Sequence, residues 1–208
     1  MLEQRTDGWL SERSGEVTAS AIYKVMARTK TGYGADRANY HAQLVTERLT
    51  GLPTEGFTNS AMQWGIETEA QARAAYAFSV NDPVVETGFH MHPSIADSGA
   101  SPDGLVGTRG LVEIKCPNTA THIQTLTGAG IDRKYLLQMQ WQMACTDRDW
   151  CDFVSFDPRL PEAMQMHVRR VERDAELLAE IEREVTQFLA EVAATVADLE
   201  ARYMKEAA

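Results

Sequence analysis

The spacing of apolar residues changes along this chain from a helical period to an alternating one and back again. A period near 3.6 residues indicates helices, whereas alternation indicates half-buried strands. Helical patterns come first, followed by three strand patterns, one helix, two more strands and a final helix. This order predicts an α/β or α+β fold with a central mixed β-sheet flanked by helices. The predicted strands cover residues 84–91, 100–106, 110–116, 150–156 and 164–171.

The predicted helices lie on both sides of these strands along the chain. One begins near Thr18-Ala19-Ser20, where hydroxyl side chains precede an apolar pattern. The C-terminal pattern predicts one amphipathic helix over about 174–203. We expect it to pack on the core of a single domain that covers residues 1–208. The other predicted helices span residues 36–50, about 60–78 and 135–145.

Charge and cysteine content limit the class of protein. The chain has 20 Lys and Arg against 30 Asp and Glu, a net charge of −10. This balance argues against a protein that coats nucleic acid, although it leaves room for a local basic groove. Three cysteines without a Cys-x-x-Cys pair argue against a zinc ribbon and favour a reducing, cytosolic compartment. No apolar run approaches the ~18 residues that a membrane helix needs.

Charged residues occur at matching places in two adjacent predicted strands. Glu113 and Lys115 are two residues apart on one strand, so their side chains share a face. Val112 and Ile114 take the other face, toward the core. Asp103 begins the preceding strand of the same hairpin, which brings it alongside Glu113. Two carboxylates and one ammonium group are therefore expected to converge.

This convergence has a chemical interpretation. Two neighbouring carboxylates repel each other unless a cation lies between them. Hard oxygen ligands with few histidines favour Mg²⁺ or Mn²⁺ over zinc. A protonated lysine beside such a metal does not ligate it, but it can orient an attacking water or stabilise charge on a phosphate. These groups suit metal-assisted phosphodiester hydrolysis. The alternative is that Glu113-Ile114-Lys115 forms a solvated surface ion pair of little energetic value.

Pro102-Asp103 followed by Glu113-Ile114-Lys115 resembles the catalytic signature of the PD-(D/E)xK nuclease superfamily. The longer strings Ser-Pro-Asp-Gly-Leu and Glu-Ile-Lys-Cys-Pro resemble the lambda exonuclease and YqaJ-type viral recombinase branch of that superfamily. The likeness covers roughly residues 9–157. Its other elements are the segment 13–20, Trp64-Gly65 followed by Glu67 and Glu69, and Gln138-Met139-Gln140.

The resemblance implies a restriction-endonuclease-like core and a role for each matching residue. Asp103 and Glu113 are implied metal ligands, with the carbonyl group of Ile114 completing one coordination shell. Lys115 is implied to position and help activate the nucleophilic water. Two Mg²⁺ ions are implied, with Mn²⁺ as a substitute. The further implied site residues are Glu69, which reaches the second metal directly or through water, its rival Glu67, and Gln138, which contacts the site or the scissile phosphate.

The N-terminal element implies a pocket in which Arg13 and Ser20 hold the 5′-terminal phosphate of the substrate. Ser20 lies in the first turn of a predicted helix, where free N–H groups attract anions, and Arg13 can donate two hydrogen bonds to a phosphate. The alternative is that Thr18 or Ser20 only caps the helix and that Arg13 is a surface charge. Met62 lies on the element that would insert an apolar wedge between base pairs, or else it packs within its helix.

Several other residues are better explained by packing. His90 and His92 could form a metal pair on a strand, but no third ligand has matching spacing. Cys116, Trp141 and Trp150 fall in apolar patterns and are expected in the core.

The resemblance as a whole implies a Mg²⁺-dependent exonuclease that digests one strand of linear double-stranded DNA from its 5′ end and leaves 3′ overhangs for phage recombination. It also implies a ring-shaped homotrimer and a phage single-strand annealing protein as partner. The implied setting is the cytoplasm of a bacterial host of the phage or prophage, with no membrane association. Two alternatives stay open: a structure- or site-specific endonuclease of the same fold, and a non-catalytic module that binds DNA ends.

Overall fold

The computed structural model describes residue 4, residues 6–54 and residues 59–204. Elements within these ranges are numbered in chain order. The helices are α1 Asp7–Glu12, α2 Ile22–Val25, α3 Ala35–Thr50, α4 Ser60–Val80, α5 Thr119–Leu126, α6 Arg133–Thr146 and α7 Ala175–Tyr203. The strands are β1 Val17–Thr18, β2 Arg28–Thr29, β3 Gly32–Tyr33, β4 Val84–Val85, β5 His90–Met91, β6 Ser98–Ala100, β7 Gly104–Val106, β8 Gly110–Lys115, β9 Trp150–Phe156 and β10 Met166–Glu172.

A five-stranded sheet in the order β10-β9-β8-β7-β4 forms the centre of the fold. β8 and β9 run parallel, whereas the other neighbours in this sheet pair antiparallel. A parallel pair needs a crossover connection, and α5 and α6 lie in the one between β8 and β9. A second sheet has the order β1-β6-β5, and β2 and β3 form a two-stranded ribbon.

Helices cover both faces of the central sheet because β8 carries apolar residues on both. Val112 and Ile114 pack in one cluster with Tyr76 of α4. Leu111, on the opposite face, packs in another cluster with Met139 of α6. The predicted fold class, a mixed sheet flanked by helices, is confirmed.

The C-terminal helix α7 follows Asp174, whose carboxylate accepts hydrogen bonds from the backbone N–H groups of Glu176 and Leu177. Its apolar stripe is buried against α2, α3 and α6. Near its middle, Phe188 stacks on Tyr40 of α3 with 5.5 Å between the ring centroids. In the part of the chain that the structure describes, no helix is long and apolar enough to cross a membrane.

Strand boundaries differ from the prediction around Pro102. The predicted strand 100–106 divides into β6 and β7, which belong to different sheets. Pro102 lies between them and has no N–H group with which to continue a ladder. The predicted strand 84–91 divides correspondingly into β4, which pairs with β7, and β5, which pairs with β6. Helix α5 was not predicted, because its sequence is mostly polar and buries only His122.

Candidate active site

Glu113 is a fully buried carboxylate on β8. Its Oε1 accepts a hydrogen bond of 2.7 Å from Nε2 of Gln138, and its Oε2 accepts one of 2.6 Å from Nε2 of Gln142. The ammonium group of Lys115 also contacts Oε1. A buried charge is costly unless it is paired and hydrogen-bonded, and these three donors meet that requirement.

Asp103 lies directly before β7 and faces Glu113 across the hairpin. The register pairs Gly104 with Val112, so the next pair of residues is Asp103 and Glu113. Oδ2 of Asp103 accepts a hydrogen bond of 2.7 Å from the backbone N–H of Ile114. Burial and the charge of Glu113 raise the pKa of Asp103 to about 8. The structure therefore brings the two carboxyl groups of the predicted site together.

Lys115 is the last residue of β8, and its ammonium group interacts with both of these carboxyl groups. It forms an ion pair with Glu113, and 28% of its side chain is exposed. Burial lowers the pKa of Lys115, but the charges of Glu113 and Asp103 outweigh this effect and the net shift is upward. Its Nζ lies 5.2 Å from the ring centroid of Tyr135. Lys115 therefore stays protonated and provides one positive charge for two carboxylates.

Of the two acidic residues on α4, Glu69 faces the site and Glu67 does not. Glu69 lines the same cleft as Lys115, and its Oε1 accepts a hydrogen bond of 2.6 Å from Arg73. Glu67 is exposed and accepts a hydrogen bond from Gln63 of the preceding turn. Two residues along a helix are about 200° apart, so only one of this pair can face inward.

Glu69 and Lys115 line an open cleft of about 440 Å³ between α4, β8 and α6. Met62 and Ile66 line its α4 side and are 52% and 40% exposed. Packing therefore covers only about half of Met62. An apolar side chain in this position is available to a ligand in the cleft.

Gln142 is a site residue that the sequence analysis missed. The signal for it was the Gln138-x-x-x-Gln142 spacing, which places both amides on one helix face. Gln138 contacts the site through Glu113, as the resemblance implies. Gln140 is directed elsewhere and donates to the carbonyl group of Glu172.

The charge balance of the site fits a divalent cation. Asp103 and Glu113 share the single ammonium group of Lys115, while Glu69 is paired with Arg73. The raised pKa of Asp103, which burial and Glu113 cause, reflects this excess of negative charge. Carboxylate oxygens of this kind suit Mg²⁺. Within residues 6–54 and 59–204, no three or more His, Cys, Asp or Glu side chains are grouped as a metal site. The carboxylates of Asp103 and Glu113 are the groups that could hold one such ion, together with carbonyl groups or water.

Arg13 lies near this hairpin through a chain of contacts. Its guanidinium group lies 3.8 Å from the ring centroid of Trp9, whose Nε1 donates a 3.0 Å hydrogen bond to Oγ of Ser101. Nε of Arg13 is buried and has no hydrogen-bond partner among the described residues. Burial lowers the pKa of Arg13 to about 10. The alternative that Arg13 is merely a surface charge is therefore wrong.

Ser20 differs from the prediction in its local structure. It lies in a 3-10 turn over Ala19–Ala21 instead of the first turn of an α-helix, and α2 follows as a single turn. Its exposed hydroxyl lies 3.4 Å from that of Thr18. Neither N-cap residue, Thr18 or Ala21, makes a side-chain capping bond. So short an element has little dipole, so Ser20 offers a hydroxyl group without a helix N-terminus.

The other candidate residues pack in the core or bond locally. His92 is buried and stacks on Trp141, with 4.6 Å between the ring centroids. His90 is half-buried, with Nε2 2.6 Å from the hydroxyl group of Thr87. Cys116 is buried in the cluster against which Trp150 packs.

Comparisons with known proteins identify the family of this chain. The YqaJ-like viral recombinase domain matches residues 8–149. The alkaline exonuclease LHK-Exo from Laribacter hongkongensis is 50% identical, with a TM-score of 0.90 over 97% of this chain and 100% of that chain. Its complex with dAMP is 51% identical, with the same TM-score of 0.90 and the same coverage of 97% and 100%.

More distant relatives share parts of this likeness. A phage-related exonuclease from Haemophilus somnus shares the fold, with 17% identity and a TM-score of 0.68 over 88% of this chain and 96% of that one. An uncharacterized protein of Acanthamoeba polyphaga mimivirus is 28% identical over an alignment of 166 residues that covers 73% of this chain. This chain spans 29% of the length of that mimivirus protein. Because the domain match covers more than half of its residues, this chain belongs to the family of YqaJ-like viral recombinase domains.

Proposed function

We propose that this protein is a Mg²⁺-dependent exonuclease that digests one strand of linear double-stranded DNA from its 5′ end and leaves a 3′ overhang for recombination. Its family and its likeness to an alkaline exonuclease support the broader statement that it is a deoxyribonuclease. The finer proposals rest on the residues of the cleft and of the N-terminal segment. The chain acts in this proposal as a single exonuclease domain.

The observation that carries the proposal is the convergence of Asp103, Glu113 and Lys115 beside one open cleft. Asp103 and Glu113 are the proposed metal ligands, with the carbonyl group of Ile114. Glu69 is the proposed ligand of a second ion, directly or through water. When bound, Mg²⁺ or its substitute Mn²⁺ supplies Lewis acidity and lowers the pKa of bound water.

The remaining residues of the cleft are proposed to act on the attacking water, the scissile phosphate and the base pairs. Lys115 is cationic, and it orients the attacking water and stabilises the negative charge that develops on the phosphate oxygens. Gln138 holds the carboxylate of Glu113 and reaches the scissile phosphate from α6. Met62, exposed at the mouth of the cleft, inserts between base pairs as the strands separate.

Strand polarity is assigned to the N-terminal segment. The unpaired Nε of Arg13 is a charge-assisted donor that lacks an acceptor among the described residues, and a terminal phosphate supplies one. The hydroxyl of Ser20 adds a second donor to this pocket. Contacts through Trp9 and Ser101 link Arg13 to the segment that precedes Asp103, which supports the proposal that a 5′ phosphate held there presents the following linkage to the cleft.

Assembly and cellular setting are proposed from the resemblance and the charge distribution. Ten acidic and four basic residues lie in 172–208, mostly on α7. An acidic outer surface discourages non-specific contact with duplex DNA and favours entry through the channel of a ring-shaped homotrimer. A phage single-strand annealing protein receives the 3′ overhang in the cytoplasm of the bacterial host.

Digestion of linear and covalently closed circular plasmid in Mg²⁺ tests the proposed function. We expect the linear form to be degraded and the closed circle to survive. Cutting of the closed circle would support an endonuclease instead, and binding without cutting of either form would support a DNA-end-binding module. Duplexes labelled at either the 5′ end or the 3′ end report the polarity of digestion. The end that releases its label first is the end from which digestion starts.

A further inference from the structure

Three clefts meet end to end along the start of α6. The cleft of the candidate active site shares Lys115, Pro117 and Tyr135 with a neighbouring pocket of about 210 Å³. That pocket in turn shares Asp132 and Lys134 with a third cleft of about 510 Å³. Because each cleft shares lining residues with the next, the second and third clefts follow the active-site cleft along the start of α6. The second and third clefts together form the exit groove.

The middle pocket is lined by groups that suit a nucleobase. Tyr135 and Phe153 form an aromatic wall with 5.7 Å between their ring centroids. Thr121, Gln124 and Thr125 of α5 supply uncharged donors and acceptors on the other side. Aromatic faces with nearby hydrogen-bonding groups are the usual surfaces on which unpaired bases stack. A pocket of about 210 Å³ admits one base at a time.

Basic side chains also line the exit groove. Nζ of Lys134 lies 4.7 Å from the ring centroid of Tyr135, on the same ring that Lys115 approaches. Lys134 has only a weak ion pair, 3.8 Å from Asp132, with both side chains about half exposed. Arg133 lines the third cleft and has no ion pair among the described residues.

Acidic groups are fewer along this path. Arg28 also lines the third cleft and is paired with Glu184 at 2.7 Å. The carboxylates that line the exit groove itself are Asp132 and Glu180. The chain has a net charge of −10, whereas basic side chains outnumber carboxylates in this groove. This local excess of positive charge favours binding of a phosphate backbone.

We propose that the exit groove binds single-stranded DNA, with one base in the pocket beside Tyr135 and phosphates on Lys134 and Arg133. The inference rests on the proposed function, because it names where an unpaired strand lies next to the nuclease cleft. Single-stranded DNA fits better than duplex, since the bases of a duplex are stacked inside the helix and cannot turn out into the pocket beside Tyr135. It fits better than one free nucleotide, since the cations continue into the next cleft.

The test is the affinity of a fluorescent 5′-hydroxyl oligothymidylate of about 12 nucleotides, measured by anisotropy in EDTA at several salt concentrations. Omitting metal and 5′ phosphate removes the contribution of the cleft and of Arg13. We expect the double variant Lys134→Gln, Arg133→Gln to bind several-fold more weakly. Its slope of log affinity against log salt should fall by about 1.4, because each lost phosphate contact contributes ~0.7. The matched control is Arg169→Gln, an exposed cation on β10, which should bind like wild type.

The outcomes separate this inference from the proposed function. Both positions are at the surface, so thermal unfolding of the double variant should match that of wild type. If wild type fails to bind the oligothymidylate, or the double variant keeps its affinity and salt slope, the exit groove inference is wrong. An equal loss of affinity for a blunt duplex would also overturn it. Wild-type digestion of linear duplex in Mg²⁺ is measured separately, and its failure would reject the proposed function itself.

Discussion

Gln142 donates a 2.6 Å hydrogen bond to Oε2 of Glu113, whereas Gln138 donates to the other carboxylate oxygen, Oε1. Both side chains have no exposed surface. The amide of Gln142 therefore fixes the orientation of a carboxylate that water cannot reach. Its own Oε1 has no hydrogen-bond partner among the described residues, so this amide is held in the core by a single polar contact.

Replacing Gln142 with Leu should reduce stability and disturb the site together. Loss of the donor leaves Oε2 of Glu113 buried without a partner, which costs about 1–3 kcal/mol of unfolding free energy. Gln140→Leu is the matched control, because Gln140 is also buried on α6 but bonds the backbone of Glu172. Urea unfolding should show a lower unfolding free energy for both variants. Calorimetry should show weaker Mn²⁺ binding only for Gln142→Leu. Equal metal affinity in the two variants would show that Gln142 does not support metal binding through Glu113.

Replacing Lys115 with Ala should abolish DNA digestion and preserve metal binding, because an ammonium group is not a ligand. Asp103→Ala and Glu113→Ala should abolish digestion and also weaken metal affinity. Initial digestion rates and titration calorimetry with Mg²⁺ measure the two effects. Lys30→Ala, which changes an exposed lysine, is the control. Near wild-type hydrolysis by any of the first three variants would contradict their assignment.

Replacing Arg13 with Ala should remove most of the preference for 5′-phosphorylated ends. A phosphate–guanidinium contact contributes on the order of 1.5–3 kcal/mol, which corresponds to roughly ten- to a hundredfold in rate. The measurement compares initial rates on 5′-phosphorylated and 5′-hydroxyl duplexes, with Arg169→Ala as the control. A preference that survives in Arg13→Ala, or is missing in wild type, would place the phosphate elsewhere.

Glu16 should make the protein less stable as pH rises. Burial and the charge of Asp97 raise the pKa of Glu16 to about 7, although Arg48 lowers it. Because this pKa is above its ordinary value of 4.5, the destabilisation is absent below pH 4.5 and complete above pH 7. Because Glu16 is only half-buried, solvent screens part of this effect, and we expect Glu16→Gln to gain about 1 kcal/mol relative to wild type at pH 8, and little at pH 4.5.

Urea unfolding at the two pH values measures this difference. Glu12→Gln, which changes an exposed carboxylate on α1, is the control and should leave the pH dependence unchanged. A Glu16→Gln variant with the same pH dependence as wild type would show that the carboxylate of Glu16 is solvated in solution.

The proposed ring predicts a mass in light scattering of three chains at micromolar concentration. Single-chain mass together with full processivity on long duplex would contradict the trimer. The same samples test whether the acidic face of α7 points outward, because charge reversal there, as in Glu200→Lys, should leave the mass unchanged.

The sequence predicted contacts that are local and missed those that depend on packing. Asp103 and Glu113 could be placed together because a hairpin pairs residues by simple counting. The contact of Gln142 with Glu113 depends on how α6 lies over β8, which no local pattern specifies. The shielding of Arg13 by Trp9 likewise arises from tertiary packing. The choice of Glu69 over Glu67 needed the rotation of α4, and the 3-10 turn at Ser20 shows that a capping pattern alone does not ensure an α-helix.

The crossover between β8 and β9 separates the groups of the site by different lengths of chain. The hydrogen bond from Ile114 to Asp103 spans 11 residues, whereas Gln138 and Gln142 follow Glu113 by 25 and 29 residues. Short loops close at low entropic cost, so the hairpin can form while α6 is still within the ribosome. At that stage the two carboxylates are still hydrated, with Lys115 on the same strand as Glu113. Docking of α6 then removes Glu113 from water, so the last local step of folding is also the step that creates the electrostatics of the site.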